Sequence, residues 1–208
     1  MTPNDIDASA AGSYRLGDRA VRRMGFGSMR LTVNPETGAA IRVLRRAVEL
    51  GVDHIDTAAF YRTPGGIIDV GPGPVRYATE LIRNALSPYP ETLVIATKVG
   101  PNRLPDHRWG DMASPALLRR QVEENLRLLG VDTLDLVNLR MVRTGTGTFA
   151  ERFGALAEMR LRLAWTLHRG EHVLAIPGTG DVAHLEQNIA AGALTLRPED
   201  LTEIDQSV

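Results

Sequence analysis

Four polar side chains stand where predicted strands end, and their types suggest proton and hydride chemistry. Asp56, Lys98 and Arg140 close three apolar runs, and Tyr61 follows Asp56 by five residues. Tyrosine is a weak acid with an ordinary pKa near ~10, and a neighbouring ammonium makes a phenol more acidic. Lys98 could supply that charge and Asp56 could orient it, which predicts a phenol that protonates a carbonyl oxygen. Because protein side chains carry no hydride, such a reduction implies a nicotinamide cofactor.

The elements that must position these residues alternate between strands and helices along the chain. Strands are predicted over 22–29, 52–56, 93–99, 134–140 and 173–179, and helices over 35–51, 75–86, 115–130, from about 149, and over 182–191. Repeated strand–helix units predict an α/β fold with a parallel sheet. No G-x-G-x-x-G follows the first strand, which disfavours a doubly wound dinucleotide-binding fold. A (β/α) barrel is favoured instead, with its active site at the carboxyl ends of the strands.

The composition predicts one domain over residues 1–208, with a polar N-terminal arm over 1–20. The hydrophobic fraction of 43% is that of an ordinary globular protein. A net charge of -1, with no run of Lys and Arg, argues against nucleic acid as a partner. No stretch approaches the roughly 18 apolar residues of a membrane span, and the N-terminus lacks a signal-peptide pattern. With no cysteine in the chain, these features favour a cytoplasmic protein.

One histidine motif is interpreted as a decoy. The segment HRGEH, residues 168–172, fits the H-x-x-E-H pattern of some zinc proteases. That pattern needs a continuous helix to place both histidines on one face, and Gly170 stops a helix before the next predicted strand. No metal site is therefore expected.

Several segments together resemble the aldo-keto reductases. They are GVDHIDTAAFY, VIATKVG, VEENLRLLGVDTLDLVNLR and LAWTLHRGEHVLAIPGTGDVAHLEQN, in the order in which the family has them. The resemblance implies a (β/α)8 barrel of the TIM-barrel type that reduces an aldehyde or ketone with NADPH. It also implies that Asp56, Tyr61 and Lys98 are three of four catalytic groups, with Tyr61 as the general acid and a small carbonyl compound as the substrate.

The fourth catalytic position departs from the family pattern. The family usually has a histidine at the end of the fourth strand, and this chain has Arg140 there, in NLRMV. Arginine is always cationic and donates hydrogen bonds from a planar fork, so it cannot relay a proton as histidine can. Three roles stay open: orienting the carbonyl group, gripping an anionic or phosphorylated substrate, or forming a salt bridge at the rim.

The cofactor side is predicted around the segment IPGTGDVAHLEQN. A glycine-rich turn over 178–180 precedes a helix N-terminus, where free N–H groups and the helix dipole bind phosphate. The resemblance implies contacts to the adenosine end from Thr179, His184, Gln187 and Asn188. The full set of cofactor-binding residues implied in this way is Gly27, Ser28, Met29, Asp56, Ile176, Gly178, Thr179, Gly180, Asp181, His184, Gln187 and Asn188.

His184 and Asp181, at the start of the predicted helix, affect which cofactor can bind. His184 stands where the family often has the arginine that grips the 2′-phosphate, so NADH stays open beside NADPH. Asp181 is also predicted to be the N-cap of the helix. Its carboxylate would then lie beside a cofactor phosphate, which is electrostatically unfavourable.

The middle of the barrel is missing from the sequence. A complete barrel takes about 250 residues, and the three family strands that hold the nicotinamide have no counterpart here. The join falls near Arg160–Leu161, and it is either a genuine internal deletion or the joint of two pieces of a longer chain. A full barrel implies a monomer. A truly truncated one implies exposed strand edges, self-association and an inactive fragment that binds, regulates or aggregates.

Overall fold

The computed structural model describes residues 6–104, 109–112, 115–140, 167 and 172–201. Its strands are β1 (Ser13–Leu16), β2 (Arg19–Arg22), β3 (Phe26–Gly27), β4 (His54–Asp56), β5 (Arg62–Thr63), β6 (Arg76–Tyr77), β7 (Val94–Val99), β8 (Pro101–Arg103), β9 (Trp109–Met112) and β10 (Leu136–Leu139). Its α-helices are α1 (Thr37–Glu49), α2 (Ala78–Leu86), α3 (Pro115–Leu129) and α4 (Val182–Ala190). Short 3-10 helices cover Ala8–Ala11, Met29–Thr32 and Ala191–Ala193.

A parallel sheet in barrel order organises the fold. Its strand order is β10–β7–β4–β3, and every neighbouring pair is parallel. A parallel bridge between Met24 and Ala175 then places the last strand segment beside the first. Successive strands that are spatial neighbours, with the final segment returning to the first, form the arrangement of a (β/α) barrel. A doubly wound sheet would instead have its first strand in the middle.

Along each strand of the sheet, apolar side chains that face the helices alternate with side chains that face the barrel interior. On the outer face, the sheet and the helices share one buried cluster, which includes Phe26, Leu44, Ile55, Ile82, Ile95, Leu185 and Ile189. Because successive strand residues point to opposite faces, His54 and Asp56 lie on the other side of β4 from Ile55. The same helices that bury the outer face therefore fix the strand ends from which the polar groups project.

The N-terminal segment differs from the polar arm expected over 1–20. The described part forms a 3-10 helix and the antiparallel hairpin β1–β2, whose turn includes Gly17 at φ +65°. Asp7 caps the 3-10 helix, and the Ala8 N–H donates to the Leu50 carbonyl at 2.8 Å. Ala8 and Ala11 are buried. The buried side chains of the 3-10 helix are small alanines, and they give only a weak hydrophobic pattern. The sequence therefore did not predict that this segment packs on the rest of the fold.

Other elements match the predictions with shifted bounds. The first strand is reduced to Phe26–Gly27, and of the strand predicted over 173–179 the structure shows the bridge at Ala175. The helix predicted from about 149 and the join near Arg160–Leu161 lie outside the described residues. Across the part that is described, no helix is long and apolar enough to cross a membrane.

A close contact inside the barrel yields a first prediction. His54 is buried, and a Cβ added at Gly25 would lie 2.2 Å from its Nε2 atom. We expect Gly25→Ala to lower the free energy of unfolding by about 1–3 kcal/mol, because the ring must move within a packed interior. Urea denaturation of the single variant and of the same change in a His54→Ala background measures it. An equal loss in both backgrounds would show that the ring is not the obstacle.

Candidate active site

A buried ion pair joins the ends of two neighbouring strands. Lys98, near the end of β7, donates through Nζ to Oδ1 of Asp56, the last residue of β4, and to the Thr57 carbonyl at 3.3 Å. The two side chains are only 14% and 11% exposed. Charges interact more strongly when water is largely excluded, so the pair fixes the position of the ammonium.

The tyrosine that sequence reasoning selected packs on this pair. Lys98 Nζ lies 4.9 Å from the centroid of the Tyr61 ring, which is a cation–π distance. Phe60 meets the same ring edge to face, with the centroids 5.2 Å apart. The Tyr61 N–H donates to the Ala58 carbonyl at 2.9 Å, and its own carbonyl accepts from Ala78 at the start of α2. Asp56, Lys98 and Tyr61 are therefore brought together, with the tyrosine only 6% exposed.

Lys98 is chemically distinct from every other cation of the chain. It is the single lysine, since the other 23 of the 24 Lys and Arg residues are arginines. A compact ammonium and a planar guanidinium make different contacts, so an arginine would not reproduce the contacts of Lys98.

Arg140 lies at the same rim with an exposed side chain. Its N–H donates to the Val99 carbonyl at 2.8 Å, which continues the pairing of β10 with β7. A Cβ at Gly100 would lie 2.5 Å from the Arg140 carbonyl, so the two strand ends are in close contact. The Arg140 guanidinium has no hydrogen bond or ion pair with any residue that the structure describes. The rim salt bridge that the sequence left open thus has no partner within those residues.

On the cofactor side, two glycines allow the first and last strand segments to touch. The Gly27 N–H donates to the Pro177 carbonyl at 3.2 Å. A Cβ at Gly27 would lie 2.6 Å from the Ile176 carbonyl, and one at Gly178 would lie 2.4 Å from the Gly27 carbonyl. The structure therefore brings together Gly27, Ile176 and Gly178, three of the residues that the resemblance implied for cofactor binding.

Ser28 and Met29 connect this contact to the group formed by Asp56, Lys98 and Tyr61. The Ser28 N–H donates to the Asp56 carbonyl at 2.9 Å, and its buried hydroxyl has no hydrogen-bond partner within the described structure. Met29 packs against the small apolar cluster that contains Tyr61. A buried hydroxyl without a partner is costly unless a ligand or water completes it.

The start of α4 is already capped by protein groups. Asp181 accepts from the His184 N–H at 2.9 Å, and the Thr179 hydroxyl accepts from the Asp181 N–H at 3.1 Å. The His184 ring is exposed, with Nδ1 3.7 Å from the Asp181 carboxylate. A Cβ at Gly180 would lie 3.7 Å from the Arg30 carbonyl, which is an ordinary van der Waals contact. The predicted N-cap is therefore present, and its carboxylate disfavours a phosphate at the same N–H groups.

Further along α4, Gln187 is exposed and Asn188 is buried. The Asn188 Nδ2 atom has no hydrogen-bond partner within the described structure. The glycine contact, the free Ser28 hydroxyl and this free amide suit a large polar cofactor lying across the ends of the first and last strand segments. The Asp181 carboxylate, by contrast, opposes a phosphate at this surface.

Sequence reasoning missed a buried asparagine behind the group formed by Asp56, Lys98 and Tyr61. Asn125, in the middle of α3, contacts the loop before Tyr61 and the strand that carries Lys98. A usable signal was present, because Asn125 shares the helical spacing of Leu128 and Leu129 and therefore occupies a core position. Among the described residues there is no cluster of three or more His, Asp and Glu that could hold a metal ion.

Comparison with known proteins finds related sequences and structures. Residues 23–162 match the sequence model of the Aldo/keto reductase family. The pyridoxine 4-dehydrogenase of Escherichia coli strain K12 is 29% identical, and the alignment covers 94% of this chain and 98% of that protein. The alignment runs over 292 positions, 84 more than the 208 residues of this chain. The relative therefore contains internal sequence with no counterpart here, in agreement with the missing strands.

Solved structures agree on the fold. An aldo-keto reductase from Klebsiella pneumoniae in complex with NADPH is 19% identical, with a TM-score of 0.66 over 90% of this chain and 91% of that chain. An aldo-keto reductase from Bacillus halodurans, in its holo form, is 18% identical, with a TM-score of 0.68 over 93% of this chain and 95% of that chain. The predicted (β/α)8 barrel type, incomplete in this chain, is confirmed.

Proposed function

Because the chain belongs to the aldo/keto reductase family, we propose that it reduces an aldehyde or ketone to an alcohol with NADPH, using Tyr61 as the general acid. Family membership makes it an oxidoreductase. The observation that carries the finer proposal is the packing of the Lys98 ammonium on the Tyr61 ring, with Asp56 behind the ammonium. This arrangement supports the proposal that Tyr61 donates a proton beside a stabilising charge, at the rim where substrates enter such barrels.

The residues of the cluster have separate tasks in this proposal. NADPH, when bound, would supply the hydride for the carbonyl carbon. The Tyr61 hydroxyl gives its proton to the carbonyl oxygen, which becomes the alcohol, and a phenolate remains. The Lys98 ammonium stabilises that phenolate, and the Asp56 carboxylate keeps the ammonium charged and in place. Phe60 and the surrounding alanines limit access of water to the ring.

Residues of the first and last strand segments would hold the cofactor. Gly27 and Gly178 provide a flat surface for its close approach, while the Ser28 hydroxyl and the Asn188 amide provide free polar atoms. NADPH is proposed because it is bound in the Klebsiella pneumoniae relative. His184 stays compatible with NADPH or NADH, since an exposed imidazole is a weaker partner for a 2′-phosphate than an arginine is.

The substrate proposal starts from Arg140 and the Escherichia coli relative. That relative is a pyridoxine 4-dehydrogenase, and dehydrogenation of a hydroxymethyl group yields an aldehyde, here pyridoxal. Pyridoxal carries an acidic ring hydroxyl beside its aldehyde, so an anionic oxygen lies near the reacting group. The exposed Arg140 fork suits such an oxygen. We propose an aromatic aldehyde with an adjacent anionic group as the substrate.

The direct experiment follows NADPH absorbance with the purified 208-residue protein. Pyridoxal, a neutral aromatic aldehyde of similar size and an aliphatic aldehyde are compared, each with NADPH and with NADH. We expect aldehyde-dependent loss of NADPH, fastest with pyridoxal. No loss of NADPH or NADH with any aldehyde, from protein shown to be folded by circular dichroism, would reject the proposed function.

Arg140 yields a prediction about substrate choice. We expect Arg140→His to lower kcat/KM for pyridoxal about 10-fold or more while changing it little for the neutral aldehyde, because a charge-assisted hydrogen bond to an anion is lost. Arg140→Lys is the matched control, since it keeps the charge and loses the planar fork. Equal effects of Arg140→His on both aldehydes would assign the residue a role other than anion recognition.

A second function is favoured by the open side of β10. That strand pairs with β7 alone within the described residues, and the side chains of Val137 and Leu139 are exposed. An apolar strand edge of this kind invites pairing with another chain, so the protein could instead act as a binding or regulatory fragment. Sedimentation across a range of protein concentrations distinguishes the two, because a monomer throughout would remove the support for self-association.

A further inference from the structure

We propose that Asn125 is a positioning residue that holds the turn carrying Tyr61 against the strand carrying Lys98. The inference rests on the proposed function. Asn125 lies in the middle of α3 and its side chain is fully buried. Its Oδ1 atom accepts from the Ala59 N–H at 2.9 Å and from the Thr97 hydroxyl, which lies on β7. One amide oxygen thus joins two segments that come from different parts of the chain.

The two segments are those on which the proposed chemistry depends. Ala59 precedes Tyr61 by two residues, within the turn that the Tyr61 N–H closes on the Ala58 carbonyl. Thr97 is the residue immediately before Lys98, and its side chain points away from the barrel interior toward α3. The backbone of β4 is paired with β7 as far as the Thr57 N–H, which donates to the Ala96 carbonyl at 2.8 Å. Asn125 extends that connection beyond the end of the strand.

A second amide on the same helix face supports this link. Asn125 Nδ2 donates to the Gln121 carbonyl at 2.8 Å, one helical turn earlier. The Gln121 side chain accepts from the Gly100 N–H at 2.8 Å and donates to the Pro101 carbonyl at 2.8 Å. Gly100 has φ +122° and contacts the Arg140 backbone. The two amides therefore fix the end of β7 on both sides of Lys98.

The physical reason for such a link is the precision that proton transfer needs. A buried amide is costly unless its polar atoms are paired, and here both the oxygen and the nitrogen are paired. A displacement of about 1 Å between reacting groups can lower a rate by about 10²-fold. A helix residue that sets the distance between the acid and its activating ammonium can therefore affect kcat without touching the substrate.

The kinetic test compares variants of similar size. Asn125→Leu removes all three side-chain hydrogen bonds, and we expect kcat for aldehyde reduction to fall about 10²-fold with little change in KM or in the Kd for NADPH. The solvent deuterium isotope effect on kcat should rise, because proton donation becomes limiting. Asn125→Asp keeps an oxygen acceptor and should retain more activity than the leucine variant.

A control variant separates positioning from stability. The control is Leu128→Ala. Leu128 lies on the same helix, one turn after Asn125, and its side chain is also buried. We expect it to lower the Tm while kcat, measured well below the Tm, stays near the wild-type value. If Leu128→Ala lowers kcat and raises the isotope effect as much as Asn125→Leu does, the role of Asn125 is structural and the inference is overturned.

Hydrogen exchange tests the link without any turnover. In Asn125→Leu the Ala59 amide should lose protection, while the Ile55 amide in β4 keeps it. In Leu128→Ala the Ala59 amide should stay protected. If the wild-type protein has no reductase activity, the proposed function alone is rejected. If the Ala59 amide of Asn125→Leu keeps its protection, or if an active enzyme keeps its kcat after this change, the positioning role is overturned.

Discussion

Replacing Tyr61 with phenylalanine is expected to lower kcat for aldehyde reduction by about 10²-fold or more, the usual scale of general acid catalysis. The ring, its cation–π contact with Lys98 and its packing on Phe60 are all kept by this change, and the hydroxyl alone is lost. In the proposed mechanism the Tyr61 hydroxyl gives the proton, so the loss should appear in kcat. The Kd for NADPH should stay near the wild-type value.

Tyr14→Phe is the matched control for this measurement. Tyr14 lies on the hairpin strand β1, outside the parallel sheet, and its side chain is exposed. Both variants are assayed by NADPH absorbance with pyridoxal and with a neutral aldehyde. If Tyr61→Phe turns over as fast as Tyr14→Phe, the assignment of Tyr61 as the acid is wrong.

The second large effect concerns the stability of the ion pair. Lys98→Met keeps the length of the side chain and removes its charge, which leaves the Asp56 carboxylate buried without its partner. Breaking a buried pair in this way typically costs about 3–5 kcal/mol, so we expect a loss of that size in the free energy of unfolding. The same variant should lose reductase activity, because the ammonium next to Tyr61 is gone.

A double-mutant cycle identifies the cause of that loss. Adding Asp56→Asn to Lys98→Met removes the uncompensated charge, and we expect the double variant to be more stable than Lys98→Met alone. Lys98→Arg keeps the charge and should lose less stability than Lys98→Met, although the wider guanidinium should still impair catalysis. Urea denaturation followed by circular dichroism measures five proteins: the wild type, Asp56→Asn, Lys98→Met, the double variant and Lys98→Arg. A double variant no more stable than Lys98→Met would show that charge burial is not the origin of the effect.

The proximity of Asp56, Lys98 and Tyr61 was predictable from the sequence, because local signals were enough to place each residue. Asp56 and Lys98 end apolar strands, and parallel strand ends meet at one rim of a barrel. The structure places them in one ion pair beneath Tyr61. The barrel order was predictable for the same reason, since strand–helix alternation without a glycine fingerprint leaves few topologies.

Other features depend on long-range packing, which the sequence pattern does not carry. The hairpin β1–β2 has polar side chains on most positions, so its alternation gave no strand signal. Asn125 occupies a core position of its helix. Its hydrogen bonds to Ala59 and Thr97 could not be predicted, because these residues lie far from it in the chain. The capping of α4 by Asp181 was predictable because its signal is local.

The most direct test of the proposed reaction follows the hydride itself. NADPH carrying deuterium at the transferred position is incubated with pyridoxal and the 208-residue protein, and the alcohol product is analysed by mass spectrometry. The account predicts one deuterium in each molecule of alcohol, formed in step with NADPH consumption and nearly abolished in Tyr61→Phe. Alcohol without deuterium, or no NADPH-dependent alcohol from folded protein, would contradict it.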